Sequence, residues 1–367
     1  MQLEQISMER LEIPFKQSFS HAAARRKTTE TVIVKAISSS GIVAYGEGCP
    51  RLYVTGETTV SALQFFEKIS TAMYSIQKLD DLRLWVESNW MEINANPAAW
   101  CAVELACLDL LAREAGRSVE CLLGLPELSG SFQYSAVIGA EEPAAFTIQL
   151  QRYLQLGLTD FKIKLSGDFV QDQENITLLR NQPVQLAVRL DANNWGTDAI
   201  QVIEYIQALD YSFCGIEEPL SVNDYAGCRN ISTALELPVI LDESFLNDAH
   251  FENLIDSASC WIINLRVSKM GGILRALEVA DTARELEVPL VIGAHVGETS
   301  ILTRAALTVA HACRNQVIAQ EGAFGTYLLE KDVVRNPLMF GKKGNLDVSR
   351  YCGKTGFSMN YHFHESG

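Results

Sequence analysis

Between Phe161 and Gly272 the sequence contains five charged segments: FKIK (161–164), DAN (191–193), IEEP (216–219), LDES (241–244) and NLRVSKMGG (264–272). Short apolar runs precede them, and the intervals between Lys164, Asp191, Glu217, Asp242 and Lys269 are 27, 26, 25 and 27 residues. This interval fits one strand and one helix, and the carboxyl ends of the strands in a parallel barrel meet at one rim. The spacing therefore predicts a barrel whose charged side chains gather in one site.

Eight segments after residue 126 have the apolar composition and the length of strands. They alternate with segments of helical periodicity, and eight is the strand number of a TIM-type barrel. The predicted strands are Gln133–Gly139, Phe161–Leu165, Gln185–Leu190, Ser212–Ile216, Pro238–Leu241, Trp261–Leu265, Pro289–Ile292 and Gln316–Ala319. We therefore assign residues 126–323 to an α/β, TIM-type (β/α) barrel that forms the catalytic domain.

Residues 1–125 have the pattern of an α+β domain. We predict a three-stranded antiparallel meander over residues 3–14, 29–38 and 42–48, with a polar loop at residues 18–27. Helical periodicity follows over residues 58–76, 79–89 and 98–114. Residues 324–367 leave no room for another βα unit, so we expect this segment to pack back on the first domain.

The composition argues against several classes of protein. The 367 residues fit about two domains, and the net charge of −15 argues against a nucleic-acid partner, which would need a basic surface. No apolar run approaches the roughly 20 residues of a membrane span, and residues 1–5 do not resemble a signal peptide. The nine cysteines are odd in number and lack C-x-x-C spacing, as expected for reduced cysteines in a cytoplasmic protein.

Asp191, Glu217 and Asp242 stand at the ends of successive predicted strands, so their carboxylates should meet. Three clustered negative charges need a cation. All the predicted ligands are oxygen atoms, with no His or Cys beside them, which favours Mg²⁺, with Mn²⁺ as a substitute, over Zn²⁺. For Asp242 or Glu243 alone, a helix N-cap is an equally good interpretation. For the set of three acids, a metal site is favoured.

We place Lys164 and Lys269 on the second and sixth strands, which lie on opposite sides of an eight-stranded barrel. Near a divalent cation and a second ammonium group, such as that of Lys162, the pKa of a lysine falls toward the range of a general base. Two bases on opposite sides of one cation are therefore the predicted catalytic pair. The alternative is a structural network of salt bridges.

His295 follows the seventh predicted strand, in the segment GAHVGETS (293–300). This position places the ring where it could line the pocket. No acidic partner is evident from the sequence, so a polar residue of the pocket wall is at least as good an interpretation as a base.

These motifs resemble those of a known family. The Lys-x-Lys, Asp-x-Asn, Glu-Glu-Pro, Asp-Glu-Ser and Asn-x-x-x-x-Lys-x-Gly-Gly segments are similar to those of the enolase superfamily, in its muconate lactonizing enzyme subgroup (mandelate racemase/muconate lactonizing enzyme-like). The similarity covers nearly the whole chain. It includes AVELACLDLL (102–111), which is similar to the last helix of the family's capping domain.

The resemblance implies that the three acids bind Mg²⁺ and that the two strand-end lysines are the acid/base pair. Lys162 would assist the substrate carboxylate and tune Lys164, and Asn193 would lie beside the metal. The first domain would cap the barrel mouth, with loops around Arg26 and Tyr53 setting specificity. The implied reaction is abstraction of the proton α to a substrate carboxylate, through an enolate that the metal stabilises.

The sequence departs from the family pattern at several positions. Arg266 replaces the usual lysine of the sixth strand, which would alter pairing with Asp242 or Glu243. Dipeptide epimerases of the subgroup carry an Asp-x-Asp on the eighth strand that holds an α-ammonium group, whereas Gly322 and Phe324 occupy these positions here. His295 is likewise unusual for the family.

These departures predict which substrates the pocket rejects. Phe324 offers an apolar wall, and Arg26 could pair with a distal carboxylate. We therefore expect a preference for carboxylates without a free α-ammonium group, such as N-acylated amino acids or unsaturated diacids. Glu298 and Glu321 are nearby in sequence, and either would supply the missing acid if its side chain pointed into the site.

The leading function is a Mg²⁺-dependent isomerase, either a cycloisomerase or a racemase/epimerase, that acts on a small carboxylate. A lyase remains open, as an o-succinylbenzoate synthase-like syn-dehydratase, and so does a dipeptide epimerase. A catalytically inactive barrel used for binding is a further alternative, and the intact set of acids and lysines argues against it. We expect a small-molecule substrate and a homo-oligomer, with no membrane partner.

Overall fold

Two antiparallel sheets form the first part of the chain. The computed structural model describes residues 1–21 and 24–363, with the side chains of residues 17–26 outside the described part. The strands are β1 (Leu3–Leu11), β2 (Pro14–His21), β3 (Ala24–Thr28), β4 (Thr31–Ser38) and β5 (Val43–Gly48). Strands β1, β4 and β5 form an antiparallel sheet in the order β1-β4-β5, which is the predicted meander.

The predicted loop at residues 18–27 is wrong, because β2 and β3 pair as an antiparallel hairpin in a separate two-stranded sheet. This stretch is polar and lacks the alternation of apolar and polar residues that marks a half-buried strand. The pairing of β2 with β3 therefore had no signal of this kind in the sequence.

Five α-helices follow the meander: α1 (Thr59–Ile69), α2 (Leu79–Ser88), α3 (Trp90–Ala95), α4 (Pro97–Glu114) and α5 (Val119–Leu123). Helix α4 begins at a proline, whose fixed φ suits the first turn, and it is buried along nearly its whole length. Strand β5 packs closely on α4, since a Cβ at Gly46 would lie 2.0 Å from the Ala102 carbonyl oxygen and one at Gly48 would lie 1.9 Å from that of Ala98. Only glycine permits this approach.

An eight-stranded parallel sheet forms the second part of the chain. Its strands are β7 (Ala136–Ile138), β8 (Asp160–Lys164), β9 (Ala187–Asp191), β10 (Gly215–Glu217), β11 (Val239–Leu241), β12 (Trp261–Leu265), β13 (Leu290–Ile292) and β14 (Val317–Gln320). They are adjacent in sequence order, and every neighbouring pair is parallel. The eight predicted strands are thus present, with a shorter first one.

Residues at the first predicted strand divide between two sheets. Strand β6 (Ser131–Gln133) pairs with β15 (Asn345–Asp347), and β7 begins the barrel sheet only at Ala136. The sheet curls so that its edges approach each other: the Ser135 amide donates to the Gln320 carbonyl oxygen at 2.8 Å. Side chains from the second and eighth strands also meet in the interior, as described below. The predicted TIM-type barrel with an N-terminal cap is therefore confirmed.

The helices of the second part are α6 (Pro143–Gln155), α7 (Phe169–Arg180), α8 (Ala199–Ala208), α9 (Tyr225–Leu235), α10 (Val267–Met270), α11 (Ile273–Glu285) and α12 (Ser300–Ala312). Between β11 and β12 the structure has two short 3₁₀ segments, Asp248–Asn253 and Ile255–Cys260, where other units have an α-helix. In the described part of the chain, no helix combines the length and the apolar composition needed to cross a membrane.

The C-terminal segment contacts the first part of the chain. The Lys16 amide donates to the Leu328 carbonyl oxygen at 2.8 Å, and the Glu330 amide donates to that of Pro14 at 2.9 Å. Farther along, the Phe357 amide donates to Asp109 Oδ1 at 2.7 Å. The division of the chain at residues 125 and 323 stays a prediction.

Candidate active site

Three buried carboxylates lie in a row at the carboxyl ends of adjacent strands. Asp191 and Glu217 are the last residues of β9 and β10 and are paired in register, and Asp242 directly follows β11. All three are almost completely buried. We call Asp191, Glu217 and Asp242 the barrel acids. The strand-end spacing placed them correctly, because the carboxyl ends of parallel strands share one rim.

Lys162 lies in the middle of this group, on the interior face of β8. Its Nζ is 2.9 Å from Glu217 Oε2, 2.6 Å from Glu321 Oε2 and 3.6 Å from Asp191 Oδ2. Burial alone would lower the pKa of Lys162, but these three carboxylates raise it above its ordinary value. The three carboxylates therefore favour the protonated form of Lys162.

Lys164 stands at one end of the row. Its Nζ donates to Asp191 Oδ2 at 2.6 Å and to Asn193 Oδ1 at 3.1 Å. The Asn193 side chain also donates to Asp191 Oδ1, at 2.6 Å. Burial opposes ionisation of Asp191, yet Lys164 and Lys162 outweigh it and lower the pKa of Asp191 to about 2. The first barrel acid is thus held as a carboxylate.

Lys269 stands at the other end of the row, in helix α10. The prediction that it lies on the sixth strand is wrong, because β12 ends at Leu265. The helical turn brings its Nζ back to donate to the Asp242 carbonyl oxygen at 2.8 Å, to Asp242 Oδ1 at 3.0 Å and to the Asn264 carbonyl oxygen at 2.7 Å. Burial lowers the pKa of Lys269 against the opposing effect of Asp242, and Arg266 lowers it further.

Arg266 bridges the second and third barrel acids. Its guanidinium donates to Asp242 and lies 3.6 Å from Glu217 Oε1. Of the two acids that Arg266 was predicted to pair with, Asp242 and Glu243, it is therefore Asp242 that accepts its hydrogen bond. Burial raises the pKa of Asp242, but Arg266 and Lys269 lower it below its ordinary value. For Glu217, burial and the neighbouring acids outweigh Lys162 and raise the pKa to about 7.

The row forms one wall of a cavity beneath the cap. Besides the strand-end residues, this cavity is lined by Tyr53 from the first part of the chain, His295 after β13 and Phe324 after β14. The Phe324 ring packs edge-on against Phe340, with 5.7 Å between centroids. The Arg26 side chain lies outside the described residues, and the roles predicted for all these specificity residues stay predictions.

The donor atoms of the barrel acids suit a hard cation. All are carboxylate oxygens on adjacent strand ends, and the site is buried, so it can hold Mg²⁺ with oxygen ligands. In the arrangement described, Lys162 lies between Asp191 and Glu217, and Arg266 lies between Glu217 and Asp242. Lysine and arginine side chains pair with all three barrel acids, so the clustered negative charge attracts cations.

A family model described as enolase C-terminal domain-like matches residues 145–360. The chain belongs to the enolase C-terminal domain-like family. The resemblance inferred from the strand-end motifs is thereby confirmed. The model covers more than half of the chain and includes every strand end that carries a barrel acid.

The relatives of this enolase-family chain with assigned activities are isomerases. It is 25% identical over 360 residues to a hydrophobic dipeptide epimerase of Enterococcus faecalis, covering 96% of this chain and 99% of that protein. It is 29% identical over 286 residues to an L-Ala-D/L-Glu epimerase of Francisella tularensis subsp. novicida, covering 77% and 79%. An N-succinyl-L-Arg/Lys racemase of Bacillus cereus is 23% identical, covering 91% and 90%.

Solved structures of the family share the fold. The dipeptide epimerase of Cytophaga hutchinsonii, complexed with Mg and the dipeptide D-Ala-L-Val, matches with a TM-score of 0.87 and 25% identity, covering 100% of this chain and 97% of that chain. Muconate lactonizing enzyme matches with a TM-score of 0.85 and 21% identity, covering 98% and 97%. The chain therefore also shares its fold with muconate lactonizing enzyme, after which the subgroup suggested by the sequence motifs is named.

Three acids beyond the predicted ligand set line the cavity of this family member, namely Glu141, Glu243 and Glu321. Glu321, which follows β14, points inward and is 2.6 Å from Lys162, with Arg189 3.5 Å away on its other oxygen. The sequence signal for Glu321 was its position just after the end of the eighth predicted strand, because the barrel acids also stand at strand ends. Glu243 also lines the cavity, and burial together with Asp242 raises its pKa well above the ordinary value.

The loop after β11 is organised by Glu218. Its carboxylate accepts from the amide of Asp242 at 2.6 Å, and from the amide and hydroxyl of Ser244 at 2.8 Å each. The alternative that Asp242 or Glu243 caps a helix is wrong, because the first helical turn after β11 is capped by Asn247. Sequence analysis missed Glu218, which positions Asp242 from the neighbouring strand end.

His295 has the acidic partner that the sequence did not reveal. The Glu298 carboxylate accepts from the His295 amide at 2.6 Å, and its Oε1 lies 3.5 Å from His295 Nδ1. Burial raises the pKa of Glu298 to about 7, against the hydrogen bond from the His295 backbone. Glu298 therefore lies behind the histidine, and His295 is the member of the pair that lines the cavity.

Proposed function

We propose that this chain is a Mg²⁺-dependent racemase or epimerase that moves the proton on the carbon α to a substrate carboxylate. The observation that carries this proposal is the placement of Lys164 and Lys269 at opposite ends of the row of barrel acids. A planar carbanion held between them can lose a proton on one face and gain one on the other. This is what inversion at one carbon requires.

The barrel acids would hold Mg²⁺. When bound, the metal supplies positive charge that stabilises the negative charge developing on the substrate carboxylate. This chain's own residues reinforce that effect, because Lys162 stays protonated within the same group of acids. Its fixed charge offsets part of the repulsion that the substrate carboxylate would meet from Glu217 and Glu321.

The two lysines would divide the proton transfer between them. Lys164 lines the cavity and would act on one face of the substrate, where Asp191 and Asn193 fix its Nζ. Lys269 would act on the other face, and its lowered pKa favours the neutral amine that a base must provide. One lysine takes the α-proton as the C–H bond breaks, and the other donates a proton as the new C–H bond forms.

The substrate class follows from the relatives and the cavity together. The names of the dipeptide epimerases and of the N-succinyl-L-Arg/Lys racemase share one chemical feature, an amino acid whose nitrogen carries an acyl group. We propose such an N-acylated amino acid, with its carboxylate at the barrel acids. Proton transfer at a single carbon is favoured over cycloisomerisation or dehydration because these relatives are epimerases and racemases.

The end of β14 supports a substrate without a free ammonium group. Gly322 and Phe324 line the cavity there and carry no charge, and the carboxylate of Glu321 is already paired with Lys162 and Arg189. A buried ammonium group without an anionic partner costs several kcal/mol. N-acyl amino acids without such a group should therefore bind better than free dipeptides.

The second candidate is a dipeptide epimerase, and Glu243 is the observation that favours it. This acid lines the same cavity, and its raised pKa, caused by burial and by Asp242, shows that the nearby cations compensate its charge poorly. A substrate ammonium group placed beside Glu243 would supply that compensation.

Deuterium exchange tests the reaction and separates the two candidates. In deuterated water with Mg²⁺, we expect the protein to exchange the α-proton of the substrate's carboxyl-terminal residue for deuterium and to invert that carbon. Mass spectrometry measures the exchange, and chiral chromatography measures the inversion. An N-acetyl dipeptide should exceed the matching free dipeptide in kcat/KM by about tenfold or more, equivalent to 1.4 kcal/mol.

The double variant Lys164→Ala/Lys269→Ala is the matched control and should show no exchange. Each single variant should lose inversion, and at least one should still exchange the α-proton of a single enantiomer. Absence of exchange in the unmodified protein, across dipeptides, N-acetyl dipeptides and N-succinyl amino acids, would overturn the proposed function. A clear preference for the free dipeptide would select the second candidate.

We also propose that the enzyme is a cytoplasmic homo-oligomer. None of the nine cysteines, all of which lie in the described part of the chain, forms a disulfide, as expected in a reducing compartment. Large apolar side chains on α2 and α3 are exposed, and a second copy of the chain could cover them; they are Leu84, Trp90 and Met91. Light scattering of the purified protein, with and without Trp90→Glu, measures the oligomeric state.

A further inference from the structure

A second cluster of potential metal ligands lies beside the cavity, where the two parts of the chain meet. It consists of Cys49, directly after β5, and of His295 and Glu298, in the loop after β13. One ligand atom from each side chain lies within 4.8 Å of the other two. Within the described part of the chain, no other group of three such side chains meets this spacing.

The backbone around the cluster is fixed by neighbouring contacts. The Cys49 amide donates to Ser268 Oγ at 2.8 Å, and the His295 amide donates to Glu298 Oε1 at 2.6 Å. Two residues before Cys49, the Glu47 carboxylate accepts from the Thr299 amide at 3.0 Å and from its hydroxyl at 2.7 Å. These bonds join the strand that carries the cysteine to the loop that carries the other two residues, so the three side chains are preorganised.

We propose that Cys49, His295 and Glu298 bind a thiophilic divalent metal ion such as Zn²⁺. One sulfur, one imidazole nitrogen and one carboxylate oxygen form a ligand set that suits Zn²⁺ and is a poor match for Mg²⁺. In a tetrahedral zinc site the ligand atoms are separated by about 3.3–3.8 Å, as follows from the usual bond lengths. Shifts of about 1 Å would bring this cluster to that spacing.

The charges of the cluster also suit a divalent ion. A Cys49 thiolate and a Glu298 carboxylate carry two negative charges, and neutral His295 adds none, so the complex with a divalent cation is neutral. A neutral complex is the form that a buried site tolerates best. Cys49 and His295 are both almost completely buried, and Ala294, His295 and Val296 line the cavity, so the cluster lies directly behind the cavity wall.

This site is distinct from the barrel acids in position and in preference. The barrel acids offer oxygen atoms alone, whereas the new site includes a cysteine of the cap and bridges the two parts of the chain. The proposal does not depend on the epimerase activity. Loss of metal binding here and failure of deuterium exchange are separate outcomes.

Cadmium binding provides the test, because a cadmium–thiolate bond produces a charge-transfer absorption in the ultraviolet. The full-length protein would first carry serine at the exposed cysteines Cys121, Cys214 and Cys352, so that surface thiols do not contribute. With Mg²⁺ in excess, we expect one equivalent of Cd²⁺ to bind and produce the thiolate band. Zn²⁺ should displace it.

Cys49→Ser in this background should abolish the band and weaken Cd²⁺ binding at least tenfold. His295→Gln should weaken binding by a similar factor while leaving a thiolate band at higher Cd²⁺ concentration. Cys228→Ser is the matched control, since Cys228 is also buried and lies outside the cluster, and it should change neither quantity. Thermal melting of each variant checks that it is folded.

A stoichiometric band that persists in Cys49→Ser would overturn the proposal, and so would the absence of saturable Cd²⁺ binding in the folded parent protein. The second result would mean that the three side chains form a hydrogen-bonded cluster only. If Cys49→Ser does not fold, Glu298→Gln replaces it. Unchanged Cd²⁺ affinity in folded Glu298→Gln and His295→Gln would be equally decisive against the site.

Discussion

The molecule contains two groups of three buried carboxylates, and their partners differ in kind. Lysine and arginine side chains contact the barrel acids, at the wall of a cavity. The second group, which we call the cap acids, consists of Glu47, Glu57 and Glu104. Backbone amides at the starts of helices contact these acids. Burial is nearly equal in the two groups, so burial alone does not mark a catalytic site.

The cap acids connect the first part of the chain to helices. Glu47 accepts from the Thr299 and Leu302 amides at the start of α12, and Glu104 accepts from the Leu274 amide at the start of α11 at 3.0 Å. Glu57 accepts from two amides in the first turn of α4. Helix starts present unpaired amides and a partial positive charge, which suits a carboxylate. Glu47 and Glu104 therefore hold the two parts together, and Glu57 fixes α4 within the first part.

The largest expected effect separates the two groups by function. Asp242→Asn should lower kcat by about 10³-fold, because it removes a negative charge from the proposed metal site. It should also weaken Mg²⁺ binding, measured by titration calorimetry, and leave the circular dichroism spectrum unchanged. Glu57→Gln is the matched control in the cap and should retain kcat within about threefold. Equal losses of activity in both variants would break the distinction.

The next effect concerns stability. Glu47→Ala should lower the free energy of unfolding by about 2–3 kcal/mol, because the amides of Thr299 and Leu302 lose their acceptor in a buried setting. Urea denaturation followed by fluorescence measures this change. Asn193→Gly, in the barrel, is the comparison variant and should lower stability by less than about 1 kcal/mol, since Asn193 is partly exposed and its φ of 48° suits glycine. A destabilisation as large as that of Glu47→Ala would show that both regions are structural.

The smallest expected effect is the pH dependence of stability that Glu47 causes. Burial raises the pKa of Glu47 from its ordinary value to about 8, against the hydrogen bonds from Thr299. The folded state therefore binds more protons than the unfolded state between about pH 4.5 and 8, and the contribution of Glu47 to stability falls as pH rises through this range. The slope is at most about 1.4 kcal/mol per pH unit.

Melting temperatures of the unmodified protein and of Glu47→Gln, compared from pH 5 to pH 8, measure this slope. As pH rises, the melting temperature of the unmodified protein should fall steadily relative to that of Glu47→Gln. A pH-independent difference would indicate that Glu47 has an ordinary pKa and is ionised throughout, as a carboxylate at a helix start can be.

The sequence predicted the parts of the site that depend on one period. Asp191, Glu217 and Asp242 recur once per βα unit, so their meeting point followed from the barrel geometry. Lys269 keeps the same interval but lies on a helical turn after β12, and that turn brings its Nζ back to the row. The acceptor role of Glu218 was also hidden, because the sequence does not show whether a carboxylate next to Glu217 points toward the cavity or toward the loop after β11.

Other contacts join residues that no local pattern relates. Glu321 meets Lys162 only because the sheet curls until its second and eighth strands face each other. Cys49 reaches His295 because the cap rests on the barrel, and 246 residues separate them in the sequence. The hairpin of β2 and β3 has no alternating apolar residues, so strand pairing there could not be distinguished from a loop.

The contacts between the C-terminal segment and the first part of the chain have a consequence for biosynthesis. Asp109 on α4 accepts from the Phe357 amide, 248 residues farther along, and from the Tyr361 hydroxyl, 252 residues farther along. At about 5–20 residues per second, a ribosome needs on the order of ten to fifty seconds to make that interval. During this time the nascent cap holds a buried acid whose distant donors do not yet exist. The first part of the chain to leave the ribosome is therefore among the last to complete its native contacts.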